Sequence, residues 1–260
     1  MSIIRICGLD LSLTSSGFSV ADCLFEEKIK NSVSDNLFNF SFAEETFKNF
    51  QKFVDFKIHT GIIEDKSNAK VLAKTRKLMR EDEKETGEIS FENLKIESNL
   101  ITKRMIFQVE NVLKLLDEYK PELVFMEDYS YHSQGSITYL AELRGCFKTL
   151  LTHEKYKDYV ILTAPITSVK KIGGTKGNAT KQMMFHWMRR FGLDINEKTD
   201  DITDSMAIVI SAFYAMYFKL FGIEFPADFK KKDIESWEKA LRVFGNHVGT
   251  KKELLNWMIP

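Results

Sequence analysis

Residues 6–20 read ICGLDLSLTSSGFSV. Ile3, Ile4 and Ile6 lead as β-branched residues to Asp10, and Gly17, Phe18 and Val20 resume an apolar run after a short turn of hydroxyl residues. The pattern predicts two strands, near residues 3–10 and 16–22. A carboxylate at the end of a buried strand is costly unless something pairs with it. Two readings of Asp10 stay open at this point. It holds a metal ion or a phosphate–metal complex, or it caps the turn through its own backbone bonds.

The rest of the chain sets the frame. With 260 residues and 44% hydrophobic content it can bury one large core with an elaborated appendage. Net charge is zero, so any nucleic-acid surface has to be a local patch. Cys7, Cys23 and Cys146 are odd in number and far apart, which excludes a disulfide framework and points to a reducing, cytoplasmic setting. No signal-peptide pattern opens the sequence. The apolar stretch 206–221 is interrupted by Ser211, two tyrosines and Lys219, which reads as a buried helix and not a membrane span.

A phenylalanine-rich segment runs from Phe25 to Phe56, and FKIHTGIIE (56–64) alternates as a strand. Charge dominates residues 64–98, which are expected to form a solvated excursion with a short helix. Helical spacing then runs from about 97 to Tyr119, where Pro121 stops it. ELVFMEDYS (122–130) reads as a buried strand ending in Glu127 and Asp128. A helix (136–151), a strand (DYVILTAP, 158–165) and helices at 179–191 and 201–219 follow. The order predicts an α/β mixed sheet flanked by helices. The division expected is a main domain over 1–219, elaborated at about 24–98, and a C-terminal helical extension over 220–260.

Asp10 and Glu127 both end strands. If those strands are parallel neighbours, both acids stand at the carboxyl edge, where open α/β sheets bind ligands. Asp201 and Asp204, in KTDDITDSMAIVI (198–210), share a helix face. Acids in a first turn also suit the helix dipole, and Asp200 is a candidate cap. Gathered together, the carboxylates would repel one another unless they held divalent cations. Oxygen ligands favour Mg²⁺ or Mn²⁺ over zinc, and two such ions can drive phosphodiester hydrolysis.

These motifs resemble those of the RuvC-type Holliday-junction resolvases in the ribonuclease H-like superfamily. GLDLSLTSSGFSV is similar to the family's first motif, ELVFMEDYSYHSQGSITYLAELRG to its second, PITSVKKIGGTKGNATK to its basic loop and DDITDSMAIVI to its last. The resemblance covers most of residues 1–219 and implies a ribonuclease H-like fold. It also implies catalytic and metal-binding roles for Asp10, Glu127, Asp201 and Asp204, a Mg²⁺ cofactor with Mn²⁺ as substitute, and branched DNA as partner: four-way junctions, forks or flaps. A homodimer is implied, with no membrane association. The long 24–98 region and the tail are similar to elaborations of phage-encoded relatives, which would place the protein in the host cytoplasm. The second motif is one residue shorter between its Glu and its Arg, so Tyr129 and Tyr131 are alternative candidates for an aromatic side chain that stacks on DNA bases or simply packs.

Residues 165–192 carry Lys170, Lys171, Lys176, Lys181, Arg189 and Arg190 and no acid. This is a local positive face suited to phosphates, with Lys181 as an electrostatic stabiliser at the scissile phosphate. Gly173, Gly174 and Gly177 are read as letting backbone amides approach phosphate. Two other functions compete with the nuclease reading. An actin- or sugar-kinase-like ATP-binding enzyme also begins with a strand, an Asp and a small-residue turn, but needs a second glycine-rich loop. A non-catalytic module that binds branched DNA would have no use for the full set of acids.

Overall fold

The computed structural model describes residues 2–31, 33, 53–55, 60–128, 137–151, 159–173, 177–190, 200–225 and 230–258. Of the sequence candidates, Tyr129, Tyr131, Gly174, Lys176 and most of the phenylalanine-rich segment lie outside them.

A mixed sheet forms the centre. Strand β1 (Ser2–Asp10) pairs antiparallel with β2 (Ser15–Phe25), and β3 (Val54–Asp55) and β4 (Thr60–Glu64) both pair with the far side of β2. On its other side β1 runs parallel to β5 (Leu123–Glu127), which runs parallel to β6 (Val160–Ala164). The adjacency expected of the two acid-ending strands is therefore present.

Each central strand is apolar on both faces, as interior parallel strands are. Ile4 and Ile6 of β1, with Leu123 and Phe125 of β5, belong to one core; Cys7 and Leu9, with Val124 and Met126, belong to another. The first core is built on helix α6 (Asp200–Phe221), preceded by α4 (Ile166–Ile172) and α5 (Lys181–Arg190). The second is covered by α1 (Lys66–Thr86), α2 (Phe91–Tyr119) and α3 (Ile137–Leu151).

Helix α6 is the one described helix long and apolar enough to cross a membrane, and it is buried along most of its length. Ala207 to Tyr217 are fully enclosed, so it is a core helix apolar all round. Helices α7 (Lys231–Asn246) and α8 (Lys251–Met258) add Leu241, Phe244 and Leu254 to the same core. The Phe244 ring lies 5.4 Å from that of Phe125 on β5. The expected division at residue 219 thus falls inside α6, and the tail helices complete the core beneath the sheet.

Two expectations need correcting. Residues 66–86 form a 21-residue helix, not a short one. Asp65 caps it by accepting from Asn68 N at 3.1 Å, and Gly87 ends it at φ 76°. Its buried stripe is only Leu72, Thr75 and Met79, a spacing easily hidden among charges. The basic segment is also not an open loop at its start. Ile166–Ile172 is helical because Val169 and Ile172, three apart, anchor one face in the core.

Candidate active site

Strand alternation decides which way the first two acids face. Asp10 has the parity of Ile6 and Gly8, and Glu127 that of Leu123 and Phe125, so both belong to the α6 side of the sheet. They stand one step beyond the paired residues Leu9 and Met126. Helix α6 can reach them because β1 and β2 present glycine beneath it. A Cβ at Gly17 would lie 1.9 Å from the Asp201 carbonyl oxygen, and one at Gly8 would lie 2.4 Å from that of Ser205. The Ser19 and Ser205 hydroxyls, 2.7 Å apart, tie β2 to the first turns of the helix.

The β1–β2 turn is closed by serines. Ser12 Oγ accepts from Thr14 N at 3.0 Å and from Ser15 N at 3.1 Å, and Ser16 Oγ donates to the Ser12 carbonyl at 2.9 Å. These bonds do what the turn-cap reading asked of Asp10. Ser15 Oγ in turn donates to Oδ2 of Asp201.

Asp10, Glu127, Asp201 and Asp204 are all half-buried. Asp10 and Glu127 share a side-chain hydrogen bond, in which the Asp10 carboxyl donates. Burial pushes Asp10 well above the ordinary aspartate value; the Glu127 bond and the charges of Glu127 and Asp201 push further, and Lys181 pulls back. Burial also raises Glu127, aided by Asp204, while the bond from Asp10 and the charges of Lys170 and Arg144 draw it down. Asp10 thus feels Glu127 and Asp201, and Glu127 feels Asp10 and Asp204, with Lys181 on the Asp10 side and Lys170 on the Glu127 side.

Among the described residues, no three His, Cys, Asp or Glu side chains close around a single point. The donor set is nevertheless the one a hard divalent cation requires: oxygen atoms, with burial and mutual charge raising Asp10 and Glu127 above their ordinary values. A cation bound there would favour the ionised carboxylates and offset their repulsion. The residues fit a divalent metal.

Lys181 is exposed at the start of α5, and Lys170 and Lys171 are half-buried on α4. At Gly173 a Cβ would stand 2.8 Å from the Trp187 ring, so packing alone requires its small size. Sequence reasoning left two contributors unassigned. One is Ser15. The other is Arg144, buried on α3, whose Nη1 lies 3.6 Å from Asp128 Oδ1 and whose charge acts on Glu127. Its place in LAELRG, one helix after the Glu127 strand, was the available signal.

Comparison with known proteins adds the family. The model for the crossover junction endodeoxyribonuclease RuvC matches residues 76–212, more than half of the chain. The chain belongs to the RuvC family. The match starts within α1 and ends within α6, so it takes in Glu127, Asp201 and Asp204; Asp10 joins them through the geometry above. As a RuvC-family protein this is a structure-selective, metal-dependent junction endodeoxyribonuclease, which sets aside the ATP-binding and non-catalytic alternatives.

Among solved structures, Thermus thermophilus RuvC aligns with TM-score 0.49 and 15% identity over 82% of this chain and 95% of its own. T. thermophilus RuvC in complex with Holliday junction substrate gives 0.46 and 14% over 82% and 94%. The yeast mitochondrial Holliday junction resolvase gives 0.36 and 13% over 94% and 82%. No curated protein matches.

Proposed function

We propose that this RuvC-family protein resolves Holliday junctions or related branched DNA by two-metal hydrolysis, using Mg²⁺ with Mn²⁺ as a substitute. The observation that carries the reading is the mutual action of Asp10, Glu127, Asp201 and Asp204 at the carboxyl ends of β1 and β5. These acids are the proposed metal ligands. Bound among them, two divalent cations would activate a water and stabilise the leaving oxygen of the scissile phosphodiester.

The chain's own groups supply the rest. Ser15 orients the Asp201 carboxylate by donating to Oδ2. Lys181, close enough to act on Asp10, is proposed to stabilise charge at the scissile phosphate. Lys170 and Arg144 offset the negative field on the Glu127 side. Lys170, Lys171 and Lys176 are proposed to contact flanking phosphates, and Tyr129 or Tyr131 to stack on bases. A symmetric junction presents two equivalent strands, so the proposed working unit is a homodimer with isologous contacts.

The test is metal-dependent cleavage of a synthetic four-way junction to 3′-hydroxyl and 5′-phosphate ends. Asp10→Asn should abolish cleavage while junction binding persists, because it removes a metal ligand and leaves the phosphate contacts. Full activity in both Asp10→Asn and Glu127→Gln would overturn the assignment. Light scattering with and without junction DNA tests the dimer.

A further inference from the structure

Helices α1 and α2 and the β1–β2 turn border an open cavity of about 370 Å³ outside the acid cluster, lined by Thr14, Leu72, Arg76, Lys77, Arg80 and Arg104 among others. Arg104 is 4% exposed. Its Nε and Nη2 are buried and have no hydrogen-bond partner among the described residues. Two enclosed donors without a partner are costly, and a nearby anion would offset that cost.

The surrounding charges sharpen this. Two act on Arg104: Asp65, which attracts, and Arg76, which repels. The Asp65 carboxylate is already engaged as the cap of α1, accepting from Asn68 N at 3.1 Å and Nδ2 at 2.8 Å. Arg76 Nε donates to Glu97 at 2.6 Å and Lys77 lies 3.7 Å from Glu81, but neither glutamate lines the cavity. Its lining carries cations, one hydroxyl and apolar carbon, and no carboxylate.

We propose that this cavity binds a backbone phosphate of the DNA substrate, with Arg104 at its base and Arg76, Lys77 and Arg80 around it. The inference rests on the nuclease reading above. A guanidinium fork matches two phosphate oxygens, and a hydroxyl adds a third donor. DNA is the favoured source because Thr14 is the neighbour of Ser15, which holds Asp201. The β1–β2 turn thus links the cavity lining to the acid cluster. The charged helix α1 thereby becomes part of the substrate surface.

The experiment measures junction affinity by fluorescence anisotropy between 50 and 200 mM salt, in the uncleaving Asp10→Asn background. Lys77→Gln/Arg80→Gln changes only exposed side chains. It should weaken binding and reduce the slope of log affinity against log salt by about one, the loss of roughly one phosphate contact. The control Lys74→Gln/Lys84→Gln lies on the same helix outside the cavity and should leave the slope in place. Arg104→Gln should act like the first pair, with its melting temperature recorded to separate folding from binding.

An unchanged slope in the first pair, or an equal loss in the control, overturns the proposal. If inorganic phosphate raises the melting temperature of wild type but not of Lys77→Gln/Arg80→Gln while the slopes agree, the cavity takes a free anion and the DNA source is overturned. Wild type that neither binds nor cuts junctions overturns the nuclease reading together with this site. Wild type that does both, with unaltered slopes in the variants, overturns this site alone.

Discussion

The Ser15 hydroxyl, on the turn after β1, donates to Oδ2 of Asp201, 186 residues further along the chain. This bond fixes one carboxylate oxygen of a proposed metal ligand. Groups of this kind, one step behind a metal ligand, change metal affinity or activity by about 10–100-fold when removed. Ser15→Ala should therefore raise the Mg²⁺ concentration needed for half-maximal cleavage, with the fold intact by circular dichroism. An unchanged metal titration would show that the bond is incidental.

Gly17 should tolerate no side chain. Its missing Cβ is the space occupied by the Asp201 backbone, at 1.9 Å, and backbone cannot rotate away. Gly17→Ala should cost about 1–3 kcal/mol by overpacking and displace the start of α6 from β2. Denaturant unfolding and cleavage should both suffer, whereas Ser15→Ala affects cleavage alone.

The raised Asp10 carboxyl makes a linked prediction about pH and metal. An acid whose folded pKa lies above its unfolded value holds its proton more tightly when folded. No penalty exists below the ordinary aspartate value of 3.8; it grows as pH rises through the elevated folded value. In chelator at neutral pH, Asp10→Asn should therefore melt higher than wild type, and the gap should close on acidification. Mg²⁺ should raise the melting temperature of wild type more than that of Asp10→Asn. Thermal melts across pH, with and without Mg²⁺, check the sign.

Gly173 and the neighbouring lysines should separate cleanly. Gly173→Ala drives a methyl into the Trp187 ring and should lower stability with junction affinity retained. Replacing Lys170, Lys171 and Lys176 together with glutamine should weaken binding and flatten its salt dependence. Equal effects of both variants on affinity would mean that the α4 segment does not face DNA.

The sheet and the acids were legible because central strands announce themselves. Ile4, Ile6, Val124 and Phe125 form apolar runs that end in a carboxylate, and the spacing of Asp201 and Asp204 ahead of an unbroken apolar helix has few other uses. Helix α1 was not legible as a full helix, because Leu72, Thr75 and Met79 are a thin stripe in a charged sequence. Helix α4 was hidden by its lysines, although Val169 and Ile172 carry the helical spacing. Ser15 and Arg104 illustrate a different limit. A serine in a turn and an arginine on a long amphipathic helix are ordinary in sequence, and only tertiary packing reveals that one holds a proposed metal ligand and the other is enclosed.

Helix α6 carries Asp201 and Asp204 in its opening turns and then becomes the central rod of the core through Tyr217. Asp10 and Glu127 leave the ribosome well before it does. A nascent or truncated chain ending ahead of residue 200 would hold half of the acids and lack the rod that its sheet packs against. Such a fragment can neither complete the cluster nor bury Ile4, Ile6 and Phe125. Until residues 200–221 are joined to it, the sheet therefore lacks its α6-side cover and the proposed set of acids lacks its second half.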